Sequence, residues 1–139
     1  MGLDLMIYKK RDWDNYQKTE DWNELDKNEI FYSRKGWWIY HEFAIGDYDN
    51  AVVTKDSFTR GMKTIKGMIP AARIVYFFNW HLNKFGIDTP DWAYRMLNKA
   101  ADYAGVDYFD IDFLANEVVS LSKLKLDFDN EDYVMILSY

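Results

Sequence analysis

The chain has 139 residues, 49% apolar and 29% charged, a balance that suits a single globular domain over 1–139 and excludes a disordered chain. It has no cysteine, which excludes disulfides, thiolate nucleophiles and cysteine-based zinc sites. The net charge of −6 is uneven: residues 1–69 carry 11 basic and 12 acidic groups, residues 70–139 carry 6 and 11.

That sign opposes a reader of duplex nucleic acid, which needs cations to neutralise phosphates. It suits a protein that meets a basic partner, or one kept soluble by its charge. Leu3 and Leu5 alternate with Asp4 and give way to Lys9-Lys10-Arg11, which does not read as a signal peptide. Apolar runs such as 74–78 are far too short to span a membrane. A soluble cytoplasmic protein without a membrane partner is expected. The aromatic share of 19% predicts an aromatic-rich core with some rings left for a surface.

Residues 2–10 alternate, with Leu3, Leu5 and Ile7 on one side and Asp4, Met6 and Tyr8 on the other, as in a half-buried strand. Residues 11–28 interleave Lys, Asp, Glu and Asn with Trp13, Tyr16 and Trp22, and read as a long polar loop pinned by its tryptophans. The stretch 29–45 has the most unusual composition. As a helix it is capped by Asn28, packs through Tyr32, Gly36, Ile39 and Phe43, and stops at Gly46. As a hairpin it would turn at Arg34-Lys35-Gly36. The helix is the expectation taken forward.

Residues 46–50 read as a turn and Ala51-Val52-Val53 as a brief edge strand. Thr54 or Ser57 then caps a helix over 58–69, with Lys55, Arg60, Lys63 and Lys66 on a solvated basic face. Residues 71–85 carry Ile74, Phe77, Phe78, His81, Leu82 and Phe85 at helical spacing before Gly86, which predicts the central, most buried helix. Thr89-Pro90-Asp91 starts a helix that runs to about Ala104, with Trp92, Met96, Ala100 and Tyr103 inward and Gly105 as its stop. Asp110 caps the next helix, through Leu124, with a stripe of Ile111, Leu114, Val118 and Leu121. After an acidic turn, 133–139 is a last strand that pairs with the first. The predicted fold class is α+β, mostly helical with about four to five helices and a small antiparallel sheet joining the N- and C-terminal strands.

No fingerprint of an enzyme stands out. The nucleophile elbow, the P-loop and the dinucleotide loop are all missing, and His41 and His81 lie far apart with no zinc-ligand spacing. The acidic run Asp127-Phe-Asp129-Asn-Glu-Asp132 lacks the glycine and distal glutamate of an EF-hand loop, so it predicts no metal site. No catalytic residue and no cofactor is assigned. His81, beside Trp80 on an apolar helix, reads as a packed, hydrogen-bonded histidine. The best binding candidate is the face of Arg34, Lys35, Trp37, Trp38 and His41, which i, i+3/i+4 and i, i+7 spacing would align on a helix. Arginine with stacked aromatics can hold a phosphate, a nucleobase or a carboxylate.

Two further pieces carry a resemblance. Met1-Gly2-Leu3-Asp4-Leu5, followed by Tyr32-Ser33-Arg34-Lys35 and then Ile39 and Phe43, resembles a family of small phage and prophage proteins. Val53-Thr54-Lys55 and the aromatic strand at 133–139 are similar as well. That family places histidine directly after the isoleucine, where Tyr40 stands here and His41 follows one place later. Trp37 and Trp38 replace small or polar residues. The resemblance implies an accessory protein, in the cytoplasm of a bacterial host, that binds a host or defence component as an inhibitor or adaptor. The alternative is an enzyme or sensor that takes a phosphate-bearing small molecule or nucleotide at Arg34, Lys35, Trp38 and His41. Exposed tryptophans would also allow homo-oligomer assembly.

Overall fold

The computed structural model describes residues 4–34, 36–46 and 51–138. Residues 2–3 and 139 of the two expected terminal strands, Lys35 and most of the expected turn at 46–50 lie outside them. The chain divides into two compact units, Met1–Gly61 with Lys125–Tyr139, and Met62–Leu124.

The first unit is built on a four-stranded antiparallel sheet. Strand β1 (Asp4–Lys9) is central, with β2 (Phe31–Arg34) on one side and β4 (Tyr133–Ser138) on the other; β3 (Val52–Val53) edges β4. The expected pairing of the two terminal strands is present, in the register Asp4↔Ser138 to Lys9↔Tyr133. Strand β1 is buried on both sides, because side chains alternate across a strand and each face has its own cover. Leu5 and Ile7 share one face with Phe31, Met135 and Leu137. Met6, Tyr8 and Val134 form a buried cluster on the other face, against Leu25, Trp13 and Tyr16.

That second cover comes from helices where a polar loop was expected. Helix α1 (Lys10–Thr19) is held by the Lys10–Asp14 ion pair at 2.7 Å and ends at Glu20, which takes the left-handed conformation at φ 55°. Helix α2 (Trp22–Lys27) starts where Asp21 accepts a hydrogen bond from the Glu24 backbone N–H, and buries Leu25. Each offers too few apolar positions for a visible period. Trp13 stacks on Tyr8 of β1 at 6.0 Å and so pins this segment as expected, whereas Trp22 is 54% exposed and meets only Tyr16 of the same segment at a tilt in the ring contacts described.

The stretch 29–45 is neither one helix nor a hairpin. Its first half is β2; its second half is the short helix α3 (Trp37–Phe43). Gly36 makes the change possible. A Cβ there would stand 2.9 Å from Leu5 Cβ and 3.1 Å from Ser33 Cβ, so only glycine lets the chain turn this close to β1. The far end of α3 is closed by Arg60, whose guanidinium donates to the carbonyls of Glu42, His41 and Ala44 at 3.2, 3.4 and 3.1 Å. A cation at the last carbonyls also complements the helix dipole. Arg60 is exposed, as expected of the basic face, and serves as this cap as well. Its own helix, α4 (Lys55–Lys66), begins with Thr54 and Ser57 capping each other reciprocally.

The second unit holds α5 (Ile69–Phe77), α6 (Asp91–Ala104) and α7 (Ile111–Ser122). Helix α5 packs against both others. Ala72, Ala93, Ala101 and Ala115 are buried, and their small side chains permit close approach of the backbones. Asp110 caps α7 as expected, accepting from the N–H groups of Asp112 and Phe113, and Leu114, Val118 and Leu121 are buried. Gly86 and Gly105 close their helices at φ 80° and 71°. The described residues hold seven α-helices, more than the four to five expected. None is long and apolar enough to cross a membrane.

Burial at the heart of the first unit has a pH consequence. The Tyr8 phenol is pushed up to about 12, first by desolvation and then by the nearby carboxylates of Glu29 and Asp26. Its protonated form is neutral, so the folded protein holds that proton more tightly than an unfolded chain, where tyrosine titrates near 10. The Tyr8 contribution is therefore complete below about pH 10 and lost as pH rises toward 12, by at most about 2 kcal/mol once solvent screening is counted. Urea denaturation of the native protein and Tyr8→Phe at mildly and strongly alkaline pH isolates it. The native protein should lose more stability than the variant over that window; equal losses would show that Tyr8 titrates as in a free chain.

Candidate functional site

The residues predicted to form a site on 29–45 are dispersed by the break at Gly36. Arg34 is exposed at the end of β2, and Lys35 lies outside the described residues. Trp37 and His41 do share an outer face of α3, with ring centroids 4.6 Å apart in an edge-to-face arrangement. Trp38 points the other way and is only 5% exposed, buried with Ile39, Tyr40 and Phe43. Tyr40 is fixed by its hydroxyl, which donates to the Gly46 carbonyl at 2.5 Å. Of the two tryptophans, one belongs to the core and one, 38% exposed, to the surface.

A larger aromatic surface lies where burial was expected. Helix α5 continues beyond Phe77 with a looser, π-helical turn over Phe78–Leu82, then a tight turn over Asn83–Phe85. This is the stretch expected to be the most buried helix. Only Ala71, Ala72 and Val75 of α5 are buried, whereas Phe77 is 51% exposed and Trp80 58%; His81 and Phe85 are exposed too. Helix α6 shows the same inversion. Its buried stripe is Ala93, Leu97 and Ala101, while Trp92, Met96 and Tyr103, predicted inward, face solvent. The buried stripe follows the small residues that let helices approach, one position away from the large ones.

A π-helical turn inserts an extra residue into the helical ladder, and such turns recur at functional sites. Here the side chain of Asn79 holds the turn in place. Its amide N–H donates to Asp112 Oδ1 at 2.7 Å, and its carbonyl oxygen accepts from the hydroxyls of Thr89 and Tyr94. One amide thus ties the turn to the starts of α6 and α7. Desolvation pushes the Tyr94 phenol up, which keeps its O–H available to this network.

The residues around Asn79 are displayed as a connected set of rings. Trp80 stacks at a tilt on Tyr76, Tyr76 meets His81 edge-on, and His81 lies against Phe77 at 5.4 Å. Phe77 meets Phe78 edge-on, and Phe78 meets Trp92 the same way at 6.4 Å. The indole N–H of Trp80 donates to Asn116 Oδ1 at 3.1 Å. That bond fixes one edge of the ring while most of the side chain stays in water. Lys123 sits 5.9 Å over Tyr76, and Lys84 5.4 Å over Phe85.

Sequence reasoning missed this surface because it equated ring size with burial. Composition carried a signal all the same: 71–85 contains Arg73 and Lys84 and no acidic residue, in an otherwise acidic chain. Among the described residues no group of three or more His, Asp or Glu is placed to hold a metal ion. Asp127 instead accepts from the Asn130 side chain, and its backbone N–H donates to the Tyr133 hydroxyl. Comparison with family models, curated proteins and solved structures finds no match to this chain.

Proposed function

We propose that this is a small phage-type accessory protein that acts by non-catalytic binding to a host or defence component, as an inhibitor or adaptor, through the aromatic surface around the π-helical turn. The phage setting rests on the opening Met-Gly-Leu-Asp and the Tyr-x-Arg-Lys segment. The binding surface rests on one observation: Trp80 is held outward, 58% exposed, by a hydrogen bond to Asn116. Exposing an aromatic surface forgoes the stabilisation that burying it would bring. Tryptophan, tyrosine and arginine are the residues that most often dominate binding energy at protein interfaces. A ring that is already immobilised loses little entropy when it meets a partner.

The alternative, a phosphate-bearing small molecule or nucleotide at Arg34, Lys35, Trp38 and His41, loses its main stacking ring, since Trp38 is buried. The deciding experiment compares the native protein with Phe77→Ala/Trp80→Ala in capture from bacterial host lysate. Any captured protein is then purified and titrated calorimetrically. Both side chains are about half exposed, so the variant should stay folded, with its midpoint lowered only by the lost ring contacts and Trp80–Asn116 hydrogen bond. It should bind the purified partner at least tenfold more weakly, about 1.4 kcal/mol or more. Equal binding by a folded variant, or no partner for the native protein, would overturn the reading.

A further inference from the structure

The charges beside the aromatic surface specify what it would bind. The whole net charge of −6 belongs to the first unit, which has 10 basic and 16 acidic residues; the second has 7 of each. Within the second unit no acid lies on 71–85, Asp88 and Asp91 follow Lys84 along the chain, and three others are engaged or buried. Asp112 is engaged by Asn79, Asp110 caps α7 and Glu117 is buried. The basic residues differ. Arg73, Lys84 and Lys123 make no ion pair among the described residues.

Those cations frame the rings. Along the chain Arg73 precedes and Lys84 follows the ring contacts of Phe77 with His81 and of Tyr76 with Trp80. A cation stands at each end, aromatic rings lie between, and Lys123 stands at the flank over Tyr76.

From this arrangement we infer that the surface takes an acidic peptide segment of a partner protein, with apolar side chains against Phe77 and Trp80 and carboxylates toward Arg73, Lys84 and Lys123. This rests on the proposed function and adds the chemistry of the partner. Guanidinium and ammonium groups that make no internal ion pair gain charge-assisted hydrogen bonds from carboxylates, and complementary charge steers encounter. Single-stranded nucleic acid would present the same sign. However, the rings meet one another edge-on or at a tilt, and three lysine or arginine side chains form no continuous track for a phosphate backbone.

The test uses the full chain and a fluorescently labelled helical peptide with leucine and phenylalanine at i, i+3, i+4 and i+7 between Asp-Glu flanks. A peptide with Lys replacing each acid and an oligothymidylate serve as competing probes. Fluorescence anisotropy should show saturable binding of the acidic peptide, weakened at least tenfold by Arg73→Glu/Lys84→Glu, by Trp80→Ala and by raised salt. Circular dichroism checks that both variants stay folded; these side chains are exposed, so they should. The inference is overturned if the basic peptide binds as tightly, if charge reversal changes nothing, if oligothymidylate binds more tightly, or if no peptide saturates. Should a lysate partner depend on Trp80 but not on Arg73 and Lys84, the proposed function stands and this inference falls. Independence from Trp80 sinks both.

Discussion

Gly61→Ala should destabilise the first unit by about 2–3 kcal/mol, although a glycine-to-alanine change inside a helix ordinarily gains up to about 1 kcal/mol. Gly61 is buried on α4, and a Cβ at that position would fall within the ring of Phe43. Phe43 is 1% exposed and packs against Phe58 with ring centroids 6.0 Å apart, so its ring has little room to retreat. Close-packed interiors transmit such overlap as off-rotamer side chains and backbone shifts. Urea denaturation should show a lower midpoint at an unchanged slope. Gly67 supplies the comparison: nothing lies within 4 Å of a Cβ there, and its φ is not left-handed. Gly67→Ala should therefore be neutral or gain about 0.4–1 kcal/mol through the unfolded chain. Combining Gly61→Ala with Phe43→Leu should cost less than the two changes added together, because the smaller side chain vacates the contested space. An undiminished midpoint for Gly61→Ala would mean that α3 and α4 do not touch at this pair.

What the sequence made legible was mostly what local chemistry marks. Asp110, the Pro90-Asp91 pair, Gly86 and Gly105 bracket helices because capping and left-handed turns depend on a few adjacent residues. The pairing of the terminal strands was legible from alternation and from β-branched and aromatic content. Phase was harder to read than period. On α6 both the row Trp92, Met96, Tyr103 and the row Ala93, Leu97, Ala101 fit a helix, and only the neighbouring helices decide which is inside. They chose the small row because alanines let α5 and α7 come close. Helices α1 and α2 escaped notice for a related reason: Trp13, Tyr16 and Leu25 are too few to define a stripe, yet they cover Met6, Tyr8 and Val134 on one face of the sheet. Within 29–45 a single residue, Gly36, changed the outcome. By breaking the stretch it moved Arg34 onto a strand and rotated Trp38 inward, which dissolved the candidate site that a continuous helix would have assembled.

The two adjacent tryptophans should therefore behave oppositely. Trp38→Ala is expected to cost about 3–5 kcal/mol, the usual range for emptying a buried tryptophan position. Against a total stability of about 5–15 kcal/mol that is enough to leave much of the protein unfolded at moderate temperature. Trp37→Ala should cost about 1 kcal/mol, because this ring is partly exposed and its contacts with Tyr40 and His41 are worth about that much. Thermal denaturation followed by near-ultraviolet circular dichroism separates the two. The same pair also discriminates between the surfaces. If Trp38→Ala abolishes binding, it should do so only in proportion to the unfolded fraction, whereas Trp80→Ala should weaken binding with the fold intact. A Trp38→Ala protein that stays fully folded and loses binding outright would return Trp38 to the surface. It would also restore the Arg34, Lys35, Trp37 and His41 region as the place to look for a ligand.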